Sequence, residues 1–503
     1  MNTPNSTYRS WLSLALLLGI LSLAAVPLGI FEAQRPTIVA SEDPNIKIGP
    51  FPTSEAHDQD LYHMVVIERF SEQLPAVNLK EYPSATTPFY HLLQGVVYAF
   101  TGGSKWALIG INLLIMLGLV AVVWRIAALR SRPWRGAILT ALLAFNIYTF
   151  GSGVWLTTDN LAWLFVALAI GLVVFGPATH LRIILAAILV TLAVLTRQVH
   201  IWAIAPVGLA ALMRTPLVRF APAFVRHESD ESNSTSWSYF ATAFVCAIPF
   251  MALGVFYFMW GGLTQQIEEG ILEYHGLGYE PAGLVFGLAM VGILGVFVLT
   301  LILPTALRTL RSPTAWIIAV VTIALATIPS TSRILPPPPL ETTENAVVSA
   351  QELEDYEAQK NASLARGHGW VWKLPVQKIQ VAAAPLFDQR SPVLILAAGA
   401  GAMVLMMLWL GASATGNRGP ASVLILTFVG FLIAQAANSA VWQRYYEPMV
   451  LITLILLCAL AIGKEPMAKA RWIGPAVLLA IQLALLSITT GREVANYISA
   501  HGF

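Results

Sequence analysis

Five short stretches of this sequence hold residues that could do chemistry together. The first is "EAHDQDLYH", residues 55–63, where Glu55, Asp58 and Asp60 alternate with His57 and His63. A carboxylate can act as a general base. The pair Asp58 and Asp60 is also a D-x-D arrangement that can hold a divalent ion, though no H-x-x-x-H or cysteine spacing supports a tight metal site. If the stretch is helical, Asp60 and His63 share a face. The second stretch, "SATTPFYH" (84–91), supplies Thr86, Thr87 and His91. The third, "WLTTDNLAW" (155–163), supplies Asp159, which "TTDN" would let serve as a helix N-cap. The fourth, "LTRQVHIW" (195–202), supplies Arg197, Gln198 and His200, and the fifth, "VWQRYYEP" (441–448), supplies Arg444, Tyr445 and Glu447.

Arginine holds phosphate oxygens through its planar fork, and histidine can assist. A base beside a phosphate clamp suits one chemistry well, the transfer of a group from a lipid-linked phosphate to a hydroxyl acceptor. In that reading Asp60 or Asp58 is the base. Arg197, His200 and Arg444 hold the phosphate. His63, Thr86, Thr87, Asp159, Gln198 and Tyr445 bind or orient substrate. Each also has a plainer role: Arg197 can snorkel to headgroups, Arg444 with its tyrosines can anchor in an aromatic belt, and His91 and His200 can be structural.

The elements that must position these groups are membrane helices. The chain has 503 residues, is 57% hydrophobic and only 11% charged, and has a mean hydropathy of +0.69. Its apolar runs reach the roughly 20 residues that cross a bilayer. They are rich in Leu, Ala, Ile and Gly rather than alternating, so the expected fold is all-α, a polytopic transmembrane bundle. Thirteen spans are expected, near 11–31, 106–128, 136–154, 158–175, 180–196, 199–213, 238–260, 282–304, 314–329, 392–413, 421–440, 447–464 and 471–488. The stretch 89–101 is shorter and contains His91 and Gln94, which fits a helix lying at the interface. With the N-terminus in the cytoplasm, the basic loops "RSRPWR" (130–135), "HLR" (180–182), "RTLR" (308–311) and "KEPMAKAR" (464–471) all fall inside, as the positive-inside rule requires. All five polar stretches then lie on the extracytoplasmic face, periplasmic, extracellular or lumenal. Ionisable groups at such depth usually face a cavity. Two long outside segments follow, 32–105 and about 330–391, and the chain divides into an N-terminal module, 1–213, and a C-terminal one, 214–503. Cys246 and Cys458 sit in apolar runs as small core residues, and no basic stripe points to nucleic acid.

These residues resemble the GT-C class of membrane glycosyltransferases. Within it they are most similar to the family that adds the terminal α-1,2-linked glucose to the dolichol-linked oligosaccharide. The family's D-E-x-x-H motif is matched by "QDLYH" (59–63), with Asp60 at the Glu position, His63 at the His, and Gln59 where the family has Asp. "TTPFYHLL" (86–93), "TTD" (157–159), "RQVHIW" (197–202) and "RYYEP" (444–448) follow in the family's order. The match is best over the first 200 residues or so. The resemblance implies a polyprenyl-phosphate-sugar donor, such as dolichyl-phosphate-glucose, and a lipid-linked glycan or other hydroxyl acceptor. It also implies inversion at the anomeric carbon, no required cofactor or metal, an acidic base in the first outside loop, and Arg197 near the donor phosphate. A different sugar transfer on the same fold, such as protein O-mannosylation or lipid modification with aminoarabinose, also fits. Two other classes compete: a transporter or lipid flippase, which would place polar groups at mid-membrane and within repeats, and a non-catalytic scaffold of GT-C type.

Overall fold

The computed structural model of the chain describes residues 4–37, 53–82, 84–176, 179–212, 239–264, 282–327, 392–437 and 443–501. The regular elements among them are all helices. In chain order these are α1 (Pro4–Gln34), α2 (Ser54–Asp58), a π-helical turn (Gln59–His63), α3 (Met64–Gln73), α4 (Phe89–Phe100), α5 (Lys105–Arg130), α6 (Pro133–Ala144), α7 (Ile147–Val154), α8 (Asp159–Val173) and α9 (His180–Thr196). They continue with a 3₁₀ segment (Gln198–Ala203), α10 (Ile204–Leu212), α11 (Tyr239–Trp260), α12 (Ala282–Val298), α13 (Leu303–Leu310), α14 (Pro313–Thr327) and α15 (Pro392–Ala414). The last are α16 (Arg418–Gln435), α17 (Gln443–Ile462), α18 (Ile473–Leu486) and α19 (Arg492–His501).

The molecule is an all-α, multi-pass membrane bundle. Among the described residues eight helices are long and apolar enough to cross a bilayer, and α6 with α7 makes a ninth if that bent pair is one span. Four further apolar helices, Asp159–Val173, His180–Thr196, Gln198–Leu212 and Pro313–Thr327, are shorter than a full crossing. Two expected spans are therefore corrected. The stretch 136–154 is not one helix but two, bent by 73°. Asn146 causes the break, because its Oδ1 accepts the amides of Tyr148 and Thr149 and so caps a new helix. The stretch 199–213 is not α-helical throughout, since its first turn is the 3₁₀ segment.

Helix α17 is the central post. From Tyr445 to Ile462 every residue is buried, against α5, α6, α12 and α15. Helices α12 and α15 approach through facing glycines. A Cβ on Gly292 would stand 2.1 Å from the Ala397 carbonyl oxygen, and one on Gly401 would stand 2.0 Å from that of Leu288. Lipid tails are as apolar as leucine, so close backbone contact, not hydrophobicity, joins such helices.

Several basic loops meet at one end of the bundle. Arg130 donates to the Phe175 carbonyl, Arg132 to that of Lys464, and Arg135 to those of Gly463 and Glu465. The expected outside segment 330–391 and the basic stretch 214–226 lie outside the described residues. At the other end α2, the π turn, α3 and α4 form a cap over the helix ends. Helix α4, the expected interfacial helix, buries Tyr90, His91, Gln94 and Gly95, with Gly95 seated under Phe70 of α3.

Candidate active site

The cap end carries two separate clusters of charge, and the two aspartates of "HDQD" part between them. Residues two apart on a helix point to opposite sides, and the chain from Gln59 on is wound as a π turn, closed by a bond from the Met64 amide to the Gln59 carbonyl. This wider turn swings residues three apart away from each other, so Asp60 and His63 do not share a face as an α-helix would require.

Asp60 points inward and is 1% exposed. Its oxygens accept two bonds from Arg35, Nη1 at 2.7 Å and Nη2 at 3.0 Å. Arg35 also bonds Glu32, which in turn receives Lys105 Nζ at 2.9 Å and Trp155 Nε1 at 3.0 Å. Gln59 completes the network, donating to Glu32 at 2.6 Å and accepting the Leu156 amide at 2.9 Å. Two acids and two bases balance in a buried volume, which is the condition for holding charge there at all. Burial works against the Arg35 charge, but bonds to Asp60 and Glu32 raise its pKa and keep it protonated. The network ties α1, the π turn, α5 and the α7–α8 junction into one corner.

Asp58 points the other way, toward Arg444, which together with Glu55, Tyr148, Ser152, Thr157, Asp159, Asn160, Trp163 and Pro448 lines a cleft. Its Oδ2 accepts from Arg444 Nη1 at 2.7 Å. Burial opposes the Asp58 charge, yet the Arg444 guanidinium holds the carboxyl well below the usual range. Arg197 pairs with Asp159, another lining residue. Both arginines lie against the Tyr445 ring, whose centroid is 4.8 Å from the Arg197 guanidinium carbon and 5.2 Å from that of Arg444. Four distant parts of the chain thus build one site of two guanidiniums on one aromatic ring, each facing a carboxylate. Such stacking is favourable and keeps each planar fork oriented.

Local structure explains each placement. Helix α9 ends at Thr196, and Arg197 is extended (φ −149°, ψ 115°), which turns the chain into the 3₁₀ segment. Asp159 opens α8, where Thr158 and not Asp159 holds the cap position; a first-turn carboxylate is favourable there too. Pro448 lies inside α17 and cannot bond back to the carbonyl of Arg444.

Other expected site residues lie around the cleft rather than in it. Thr87 is fully buried and donates to the Val194 carbonyl at 2.5 Å. Thr86 lies 3.4 Å from the Tyr82 hydroxyl and 3.2 Å from that of Ser84. Gln198 donates to the Ala85 carbonyl at 2.6 Å and so ties the TTP loop to the 3₁₀ segment. His200 is buried edge-on against Trp163, ring centroids 4.7 Å apart, and its Nδ1 has no hydrogen-bond partner among the described residues. His63 Nδ1 lies 2.8 Å from His91 Nε2. Burial brings His63 down to about 4, while Asp58 and Asp159 pull upward and Arg444 and Arg197 reinforce the fall. Among the described residues no three His, Cys, Asp or Glu side chains stand together to hold a metal.

No protein-family model matches the chain, and no curated protein matches it. Among solved structures the chain is similar to that of ArnT from Cupriavidus metallidurans in the apo state. The identity is 15%, over 91% of this chain and 78% of that one, with a TM-score of 0.33. A superposition that loose assigns no role to any residue.

Sequence reasoning missed Glu32, Arg35 and Lys105. Glu32 and Arg35 sit just past an apolar run, where charges read as an ordinary span end, and their i, i+3 spacing was the available sign of a pair. It also missed Tyr82 and Tyr148, which carry no motif. Glu447 is a further polar group on α17. It is fully buried and accepts from Asn146 at 2.7 Å, Gln443 at 2.5 Å and Gln482 at 3.1 Å.

Proposed function

We propose that the protein is a membrane glycosyltransferase of GT-C type. It moves a hexose, glucose or mannose, from a polyprenyl-phosphate donor to a hydroxyl acceptor at the extracytoplasmic face, with inversion. The observation that carries this reading is the pair Arg197 and Arg444 against one Tyr445 ring, with Asp159 and Asp58 as their present partners. A planar guanidinium fork matches two oxygens of a phosphate. The motifs that suggested the reading from sequence, around 58–63, 157–159, 197–200 and 444–448, meet at or beside this cleft.

The donor phosphate replaces the carboxylates on the two arginines. Asp58 is then released from Arg444, regains basicity, and takes the proton of the acceptor hydroxyl. The acceptor oxygen bonds to the anomeric carbon as the carbon–oxygen bond to phosphate breaks, and the phosphate leaves with the electron pair. Charge grows on the leaving oxygen, so fixed guanidiniums stabilise the transition state more than the ground state. One base suffices for a single displacement, without the second carboxylate of a retaining glycosidase. Asp60 supports the loop that presents Asp58.

The test is transfer by purified protein from radiolabelled polyprenyl-phosphate-glucose and polyprenyl-phosphate-mannose to crude membrane lipids and glycans. Labelled product that is lost in Asp58→Asn and in Arg444→Ala supports the reading. Full activity in both variants removes the roles assigned here.

A further inference from the structure

The basic end of the bundle holds a second opening, which the reaction above does not use. It is a pocket of about 220 Å³ where three spans end, Gly283–Leu310, Gln443–Ile462 and Lys469–Ser499. Span ends lie at the level of the lipid headgroups. The apolar lining, Leu301, Ile302 and Ile462, is buried, while the charged lining, Arg308, Glu465 and Arg471, is exposed or half-buried. Among the described residues none of these three charges makes an ion pair. Arg308 bonds through Nε to the Pro304 carbonyl of its own helix at 3.3 Å. The plain reading is two arginines that sit among headgroups and mark one side of the membrane. What exceeds it is a frame fixed around them. Thr300 Oγ1 donates to the Arg471 carbonyl at 2.8 Å, and Arg135 donates to the carbonyls of Gly463 at 3.1 Å and Glu465 at 2.5 Å. The backbones that carry Glu465 and Arg471 are thus held from behind. Leu303, Leu307 and Leu310 are exposed on α13 at i, i+4 and i+7, a face suited to lipid tails, and the pocket residues Pro304 and Arg308 lie one position around the helix from it. A lipid whose tails cover that face has its headgroup beside the pocket.

We propose that this pocket binds one phospholipid headgroup that carries both a phosphodiester and an amine, as phosphatidylethanolamine does. Arg308 and Arg471 hold the phosphate oxygens, for which the guanidinium fork is shaped. A phosphodiester shared by the two arginines leaves Glu465 without a partner, and the ammonium of the same headgroup supplies one. A free phosphate would answer the arginines alone and would use neither Glu465 nor the leucine face. The bound headgroup bridges α13, the end of α17 and the 3₁₀ turn Lys469–Trp472 that leads into α18. These parts come together only in the folded chain, so the lipid binds the native state and stabilises it. The site stands apart from the glycosyl-transfer reading and does not depend on it.

The test is native mass spectrometry of full-length protein, stripped of lipid in detergent and titrated with phosphatidylethanolamine, phosphatidylglycerol or inorganic phosphate. We expect the wild type to hold one phosphatidylethanolamine about tenfold more tightly than phosphatidylglycerol, and inorganic phosphate not to displace it. The pair Arg308→Ala/Arg471→Ala should weaken that retention about tenfold or more. The pair Arg311→Ala/Lys469→Ala removes the same charge from the same end but lies outside the pocket lining, and it should keep the lipid. Glu465→Gln should erase the preference over phosphatidylglycerol. In thermal unfolding, added phosphatidylethanolamine should raise the melting temperature of the wild type and of the Arg311/Lys469 pair, but not of the Arg308/Arg471 pair. Equal loss of lipid in the two pairs means that diffuse charge holds it, and overturns the site. Equal retention of the two lipids, displacement by inorganic phosphate, or no lipid held by the wild type overturns the headgroup assignment. If the Arg308/Arg471 pair does not fold, Arg471→Lys, which keeps the charge and loses the fork, gives the same readouts with the same meanings.

Discussion

Two aspartates two positions apart have opposite surroundings, and their variants should fail in opposite ways. Asp58→Asn removes the cleft carboxylate from a half-buried site. We expect the melting curve to stay close to wild type and transfer to fall by about 10²–10⁴-fold, the usual worth of a general base. Asp60→Asn instead removes one acid from a buried four-charge network around Arg35. Breaking such a network by one partner costs about 3 kcal/mol or more, so thermal unfolding in detergent should show the damage before any assay does. A melt in which Asp60→Asn matches wild type would mean that the network does not hold the loop. The paired histidines predict a pH effect of definite sign. An unfolded histidine titrates near 6.5, while the fold holds His63 at about 4 and His91 well below its ordinary value. Between those limits the unfolded chain binds more protons, so stability is full above about pH 6.5 and falls as pH drops toward 4. Hydrogen exchange of α3 and α4 amides across that range measures it, and exchange that slows on acidification would contradict the neutral pair.

At the scale of elements, irregular backbone places the site. The π turn parts Asp60 from His63, the end of α9 frees Arg197, and the bend at Asn146 turns α7 so that Tyr148 and Ser152 line the cleft. Asn146 does two things, capping α7 and donating to buried Glu447. Asn146→Ala should cost about 1–2 kcal/mol for the cap, with more for the carboxylate left short of a donor. Asn146→Asp keeps the cap and puts a second carboxylate beside Glu447, so it should be the worse of the two. Equal melting points would argue against the Glu447 contact. The α12–α15 contact is as demanding. Gly401→Leu places a side chain where backbone oxygen already stands at contact distance, and yield of folded protein in detergent should drop sharply, while Gly416→Ala, at an open turn with φ +76°, should cost far less.

For the whole molecule, the open question is which end faces which compartment. The positive-inside rule puts the basic end in the cytoplasm and the cleft outside. In a chain with Cys246 and Cys458 replaced by alanine, a membrane-impermeant maleimide on intact cells should label Glu81→Cys. It should spare Arg132→Cys and Lys469→Cys until the cells are opened, and the reverse pattern would invert the topology. The sequence by itself determined the class of molecule, because crossing a bilayer demands long apolar helices and such runs are visible residue by residue. It also marked polar stretches that the fold gathers at or beside the cleft, since charge at membrane depth is costly and usually faces a cavity. Sequence did not determine how those stretches divide the work. The spacing of Asp60 and His63 is read with α-helical geometry, and one π turn moves them off a common face. Glu32 and Arg35 look like a span end until Asp60 folds onto them. Tyr82 has no motif and matters only because His91 lies 2.5 Å away. Partners that are remote in the chain, as Asp58 is from Arg444, are chosen by packing, and packing is a property of the folded molecule alone.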